Sequence, residues 1–178
     1  MRKKSKKRNK MIGVALVIIV LLFGIITVKF IQYEKIIEDT ERTWLITQYG
    51  PRDVNSMFYT LYGGKGQLIV VDGGWTEDAD FVRQTIKEMG GKVDAWILTH
   101  PHQDHIGAFN AIYSDLQGIE IKEVYTVDMP SPKLCQERAH WDSVDTYNDF
   151  LDLNVKNLKY VYPGDELNIC GLKVDIYN

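Results

Sequence analysis

Three of the chain's four histidines fall within six residues, in the segment His100-Pro101-His102-Gln103-Asp104-His105. Imidazole nitrogen and carboxylate oxygen are zinc ligands that must converge to about 2.0–2.2 Å from the ion. His100 and His102 are two residues apart, so on an extended chain their side chains point to the same side. Asp104 and His105 follow where the chain turns into a helix and can face a second ion. The spacing predicts a site for one or two Zn²⁺ ions, with iron or manganese as alternative metals.

The elements on either side of this segment place it at the edge of a sheet. The apolar run Ala95–Thr99 predicts a buried strand that ends at the first histidine. Apolar residues then recur at helical spacing, at Ile106, Phe109, Ile112, Tyr113 and Leu116. The carboxyl end of a strand that feeds a helix is the usual position of an α/β active site.

Other short apolar runs, separated by Gly, Pro, Asn and Asp, predict further strands. They cover residues 44–49, 56–62, 67–72, 122–127, 158–162, 166–170 and 172–176. A helix is predicted from Thr76 to the Gly90-Gly91 pair, and a weakly amphipathic one over 139–152. Residues 128–138 contain two prolines and are predicted to be a loop. The predicted order along the chain, with strands at the start and helices inserted between later strands, indicates an α/β domain over 44–178.

The pattern His100-x-His102-x-Asp104-His105 resembles the HxHxDH signature of the metallo-β-lactamase superfamily. The flanks resemble it too, because a strand ends in Asp72-Gly73-Gly74 and Ile106-Gly107-Ala108 follows the histidines. The resemblance is greatest to the extracellular domain of competence-type DNA-uptake proteins. It implies an αβ/βα sandwich, of which this chain resembles the N-terminal half only.

The resemblance also implies roles for individual residues. His100 and His102 would bind one zinc and Asp104 and His105 a second, and metal-activated hydroxide would attack an ester, amide or phosphodiester. Asp104 would also act catalytically, by orienting the nucleophile or taking its proton. Asp72 would hold a metal ligand or the Gly73-Gly74 turn in place without binding the metal itself, or serve only as a turn residue.

The second half of the superfamily site has no counterpart here. Gly164-Asp165 is interpreted as a turn between strands and His140 as a surface histidine. The domain is therefore expected to be truncated at its C-terminus, and a missing segment or a partner subunit would complete it. The alternative function is a truncated, non-catalytic module that binds a metal or ligand, or a domain related to DNA uptake.

The N-terminal 43 residues predict a membrane anchor. Residues 1–10 carry seven basic residues and no acidic one, and residues 11–28 carry no charge. Eighteen residues cover roughly 27 Å as a helix, close to the hydrocarbon thickness of a bilayer. A transmembrane signal anchor over 11–31 is favoured over a cleaved signal peptide or a core helix. Positive charge before the span predicts a cytoplasmic tail at 1–10. The stalk 32–43 and the domain would lie outside the cell.

Charge and cysteine content limit the possible partners. Outside the basic tail the chain has 14 basic and 24 acidic residues, which disfavours general nucleic-acid binding because that binding is mostly electrostatic. Cys135 and Cys170 are predicted either to pair or to remain free thiols, since two cysteines at this spacing do not define a disulfide framework. The substrate is expected to be a small molecule or a phosphodiester, and the sequence does not indicate which one.

Overall fold

The computed structural model describes residues 2–41, 43–50 and 57–177. Contacts divide the chain into two units, residues 1–43 and 44–178. The first unit is helix α1, Arg2–Glu41, in which side chains are described at residue 16 and residues 18–38. Among the described residues, no helix is both long enough and apolar enough to cross a membrane. The side chains of the predicted tail 1–10, and those at 11–15 and 17 of the predicted anchor, lie outside the described ones.

The second unit contains ten strands and four helices in its described part. The strands are β1 Trp44–Tyr49, β2 Phe58–Gly63, β3 Leu68–Val71, β4 Lys92–Val93, β5 Ala95–Leu98, β6 Glu120–Ile121, β7 Val124–Val127, β8 Leu158–Val161, β9 Glu166–Ile169 and β10 Leu172–Asp175. The helices are α2 Ala79–Glu88, α3 Gln103–Ser114, α4 Pro132–Arg138 and α5 Val144–Asp152. A 3₁₀ turn, Thr76–Asp78, precedes α2.

Six strands form the main sheet, in the order β1-β2-β3-β5-β7-β8. The first three pair antiparallel, whereas β3, β5, β7 and β8 pair parallel. Helices α2 and α3 lie in the connections between the parallel strands. The carboxyl ends of β3 and β5 therefore meet at one edge, where the histidine segment leaves β5. Strands β9 and β10 form an antiparallel pair, and β4 and β6 a parallel pair.

Alternating strand residues enter two separate apolar cores, as the period of two requires. On one face, Trp96 and Leu98 of β5 pack with Ile86 of α2 and Phe109 of α3. On the other face, Ala95 of β5 joins a smaller core whose members include Ile69, Tyr125, Val161 and Ile169 of β9. The fold is thus a mixed α/β sheet with helices on one side and the β9–β10 pair against the other.

The structure corrects two of the predicted boundaries. The loop predicted over 128–138 is wrong in its second part, because α4 begins at Pro132. Proline is favoured at the first helical position, where no hydrogen-bonded N–H is needed, and Ser131 Oγ accepts a hydrogen bond from the Leu134 amide. The helix predicted over 139–152 begins only at Val144. Strands β4 and β6, two residues each, are not predicted by the alternation.

Candidate metal centre

The Asp72 carboxylate connects the ends of two neighbouring strands. Asp72 follows β3 and Thr99 follows β5, and these strands are parallel neighbours. Asp72 Oδ1 accepts a hydrogen bond from the Thr99 amide at 2.9 Å, and Oδ2 accepts one from Thr99 Oγ1 at 2.8 Å. The Asp72 amide donates to the Ile97 carbonyl at 2.8 Å. Asp72 is only 5% exposed, so its carboxylate is held by protein groups rather than by solvent.

The same carboxylate orients the ring of His105. Asp72 Oδ2 lies 2.8 Å from His105 Nδ1. An ionised carboxylate can only accept, so this contact places the proton on Nδ1. The lone pair of His105 Nε2 is then available, and this nitrogen lies 3.8 Å from Asp104 Oδ2. A carboxylate behind a histidine is the arrangement that fixes the tautomer of metal-binding imidazoles.

Thr99 extends this orientation to His100. Thr99 Oγ1 lies 2.9 Å from His100 Nδ1. A hydroxyl has one proton, and that of Thr99 is donated to the Asp72 carboxylate, so its oxygen accepts from His100 Nδ1. His100 Nε2 is consequently the free nitrogen of the second ring as well. One buried carboxylate therefore sets the tautomer of two histidines.

The three histidine rings are adjacent. The ring centroids of His100 and His105 are 3.7 Å apart, and those of His100 and His102 are 4.6 Å apart. All three rings and the Asp104 side chain are partly exposed. The sequence-predicted ligands are thus brought to one surface, with Asp72 behind them.

Two glycines allow the Asp72 turn to contact α3 closely. A Cβ on Gly73 would lie 3.2 Å from the Phe109 amide nitrogen. A Cβ on Gly107 would lie 2.6 Å from the amide nitrogen of Thr76. The Ala108 amide also donates to the Gly74 carbonyl at 3.1 Å. A Cβ at Gly107 would overlap the Thr76 backbone, and one at Gly73 would require the Phe109 backbone to shift. These glycines therefore favour the close approach that brings Asp72 within reach of the first turn of α3.

Burial and local charge shift the pKa values of the two oriented histidines, His100 and His105, in opposite directions. Burial lowers the pKa of His105, but the hydrogen bond and charge of Asp72, with the charges of Asp104 and Asp142, outweigh it and raise that pKa. Burial, and then the neighbouring rings, hold the pKa of His100 below its usual value, against the opposing Asp72 and Asp104 charges. His100 therefore stays neutral more readily, and a neutral imidazole is the form that binds metal.

The donor set fits zinc by its chemistry, since it combines imidazoles oriented through Nδ1 with the Asp104 carboxylate. Within the residues that the structure describes, no three His, Cys, Asp or Glu side chains are grouped as they would be around an ion.

Residues 49–134 match the family model of the metallo-beta-lactamase superfamily. The chain belongs to this superfamily. The matched range contains Asp72 and the whole histidine segment, which carry the resemblance in the sequence. The connection from strand end to helix start therefore delivers the superfamily motif to one edge of the sheet.

The relatives of this chain include a hydroxyacylglutathione hydrolase and an RNase. A hydroxyacylglutathione hydrolase of Aliivibrio fischeri (strain MJ11) is 29% identical over 121 residues, which is 66% of this chain and 46% of the relative. RNase aCSPSF2 of Saccharolobus solfataricus is 25% identical over 136 residues, or 72% of this chain and 27% of the relative. The chain thus spans about half the length, or less, of these relatives. The predicted likeness to the competence-type branch is not supported by them and stays a prediction.

A solved structure with a similar fold is a metallo-beta-lactamase from Staphylococcus aureus subsp. aureus COL. Its TM-score is 0.46 at 12% sequence identity, over 76% of this chain and 34% of that one.

The remaining candidates have other contacts than those of the oriented histidines. Gly164 and Asp165 form a turn, in which Asp165 Oδ2 accepts from the Tyr162 amide at 2.8 Å. His140 is exposed and its ring is 5.2 Å from that of Trp141. Cys135 and Cys170 are both free thiols, so the paired alternative is wrong for this structure.

Two residues near the site are not identified by the sequence pattern. Thr99 connects Asp72 to His100, and its place directly before the first histidine is the signal that could have indicated it. Asp142 Oδ1 accepts a long hydrogen bond, 3.4 Å, from the Gln103 amide at the start of α3. No sequence spacing indicates Asp142, because 39 residues separate the two positions.

Proposed function

We propose that this chain is a membrane-anchored, extracellular hydrolase that depends on zinc. The observation that carries the proposal is the Asp72–His105 contact of 2.8 Å, because it orients an imidazole in the way that metal ligands require. His100, His102, Asp104 and His105 would hold one or two Zn²⁺ ions. Bound zinc supplies Lewis acidity, which activates water and polarises the scissile bond.

The protein groups would have separate tasks in hydrolysis. In the neutral rings, Asp72 holds the proton of His105 on Nδ1 and Thr99 does the same for His100, so Nε2 of each ring would be the nitrogen that binds the metal. The Asp104 side chain is partly exposed beside His105 and would orient the attacking water or accept its proton. An ester, a thioester, an amide or a phosphodiester would be the substrate.

Metal content and turnover test this proposal together. Full-length chain purified in a non-ionic detergent should bind Zn²⁺, and it should hydrolyse at least one of a hydroxyacylglutathione, a nitrophenyl ester and a phosphodiester. His102→Ala and Asp104→Ala should lose turnover. His140→Ala is the matched control, because it removes an exposed histidine that lies outside the oriented group. Wild-type turnover that is unchanged after the metal is removed would contradict the proposal.

A non-catalytic, membrane-anchored binding module is the second candidate. It would bind Zn²⁺ through the same four residues, His100, His102, Asp104 and His105, without the second half of the superfamily site. It predicts stoichiometric zinc binding by the wild type with no hydrolysis of any substrate class. A further segment or a partner subunit that supplies additional ligands would convert this state into the hydrolase, and zinc affinity should then rise when it is present.

The proposed anchor is supported by the uncharged run over 11–28 behind seven basic residues. In this proposal the helix over 11–31 spans the membrane and residues 44–178 lie outside the cell. Protease added to intact cells should remove the domain and leave a membrane-bound N-terminal fragment. Protection of the domain until the cells are lysed would overturn the topology.

A further inference from the structure

Strand β1 forms one edge of the main sheet and exposes apolar side chains there. In the described part of the chain its only strand neighbour is β2, so its other side has backbone N–H and C=O groups without a strand partner. Leu45 is 61% exposed and Ile46 is 65% exposed. An edge strand with unpaired backbone groups is a template for pairing with a further strand.

The two edges of the main sheet differ in the features that prevent such pairing. Natural sheets protect their edges with charged side chains, above all Lys, and with Pro. The edge strand β8 contains Lys159 and is followed closely by Pro163. Strand β1, Trp44–Tyr49, contains no charged residue and no proline. A further strand would therefore meet no charge on the side chains of β1.

The two exposed apolar side chains of β1 lie on opposite faces of the sheet, because side chains alternate along a strand. Leu45 shares its face with Tyr49, which packs on the core that includes α2 and α3. Ile46 shares its face with Trp44, which packs on the smaller core. A helix on one face would cover only one of the two side chains. A strand paired at the edge places its own side chains beside both.

A second copy of β1 provides such a strand. Two-fold symmetry relates two identical strands as an antiparallel pair. Residues directly opposite each other in that pair point to the same face, so the axis must pass through a residue rather than between two. With the axis at Ile46, the more exposed of the two apolar residues lies opposite its own counterpart. Leu45 then lies opposite Thr47 of the second copy, and no charged residue of β1 faces another.

We propose that β1 pairs antiparallel with β1 of a second copy about a two-fold axis at Ile46, so that the main sheet continues across two chains. The six residues of β1 are fewer than the roughly 20–30 residues that each partner contributes to a standard interface. The dimer is therefore expected to dissociate on dilution. It depends neither on bound zinc nor on hydrolysis.

Disulfide formation in the full-length chain, in non-ionic detergent, tests the register. Cys135 and Cys170 are free thiols and are first replaced by Ser. Ile46→Cys should then give a covalent dimer under mild oxidation, since directly opposite Cβ atoms are about 4.5–5.5 Å apart. Gln48→Cys is the matched control on the same face of the same strand. In the proposed register it lies about 13 Å along the strand from its own counterpart, so it should stay monomeric on a denaturing gel.

Sedimentation equilibrium in density-matched detergent tests the association itself. The wild type should approach twice the 20.5 kDa of one chain as its concentration rises. Ile46→Lys should weaken dimerisation about tenfold or more, because it removes an apolar contact from both copies and places like charges opposite each other. Leu151→Lys is the control, since it makes the same change at an exposed leucine of α5, 47% exposed, and it should dimerise normally.

Four results would overturn the proposal. They are a wild type that stays monomeric, an Ile46→Cys variant that forms no disulfide, equal cross-linking of the Ile46→Cys and Gln48→Cys variants, and a dimer that Ile46→Lys leaves unchanged. The last result would assign the association to another part of the chain, such as α1. A thermal melt of Ile46→Lys that matches the wild type shows that the variant is folded, and the disulfide arm tests the register without it.

Discussion

Replacement of Asp72 by Asn should weaken zinc binding without removing any ligand. Asn matches Asp in shape, and it tolerates the left-handed backbone at this position, where φ is 57°. The amide oxygen is expected to remain on the Thr99 amide, because that N–H needs an acceptor. The amide nitrogen then takes the place of Oδ2 and donates toward His105 Nδ1. The proton of His105 must move to Nε2, the nitrogen that the metal requires.

The magnitude follows from this tautomer change. Loss of an outer-shell partner of a metal ligand costs about 10–100-fold in metal affinity. By the tenfold rule of about 1.4 kcal/mol, this corresponds to roughly 1.4–2.8 kcal/mol. The hydrogen bond to a charged carboxylate is worth about 1.5–3 kcal/mol, which is the same range. We therefore expect an affinity loss of at least tenfold.

Competition with a zinc-chelating dye measures the affinity, and ¹⁵N NMR of the histidine rings reports the tautomer. Asp94→Asn is the matched control, because Asp94 is also a buried carboxylate, 8% exposed, that accepts from the Leu68 amide and pairs with Lys122. It should lower stability and leave zinc affinity unchanged. The reasoning is refuted if Asp72→Asn binds zinc as tightly as the wild type, or if both variants lose affinity equally.

Three further substitutions test neighbouring contacts. Thr99→Val should lower zinc affinity about tenfold, since it removes the outer-shell hydroxyl; an unchanged dye-competition curve would contradict this. Gly107→Ala should destabilise the domain by about 1–3 kcal/mol in thermal melts, because its Cβ would overlap the Thr76 amide; an unaltered melt would show that α3 shifts freely. The hydrogen bond from Lys159 lowers the pKa of Glu123, so Glu123→Gln should cost about 0.2–1 kcal/mol at neutral pH. That difference should shrink as the pH falls below the ordinary Glu value of about 4.3, and a pH-independent difference would exclude the ion pair as its cause.

The sequence predicts the elements that have a strong period and misses those decided by tertiary contacts. Strand β1 has the predicted bounds, and β3, β5 and α3 lie where the apolar patterns indicate. Strands β4 and β6 are two residues long, so they have no period to detect and exist only through their mutual pairing. The sequence pattern does not predict helix α4, because proline is both a helix breaker and a favoured first helical residue. Only the cap at Ser131 distinguishes the two cases.

The sequence likewise predicts one part of the candidate site, the metal ligands, and not the other, their hydrogen-bond partners. The types and spacing of His100, His102 and His105 predict a metal centre, because those side chains are close in sequence. Their hydrogen-bond partners are not close in sequence, since Asp72 lies 33 residues before His105. The pairing of β3 with β5 brings them together, and a sequence pattern alone does not contain that register.

A residue at position 72 must both adopt a left-handed backbone and carry a carboxylate. Glu has the same charge, but its longer side chain and ordinary backbone preference fit neither the turn nor the 2.8 Å contact. Gly and Asn suit the backbone, but neither provides a carboxylate. In a library of all substitutions, selection for folded protein should therefore retain Gly and Asn at residue 72. Selection for zinc binding should retain Asp alone, so the difference between the two enrichment profiles would separate the residue's role in folding from its role at the metal.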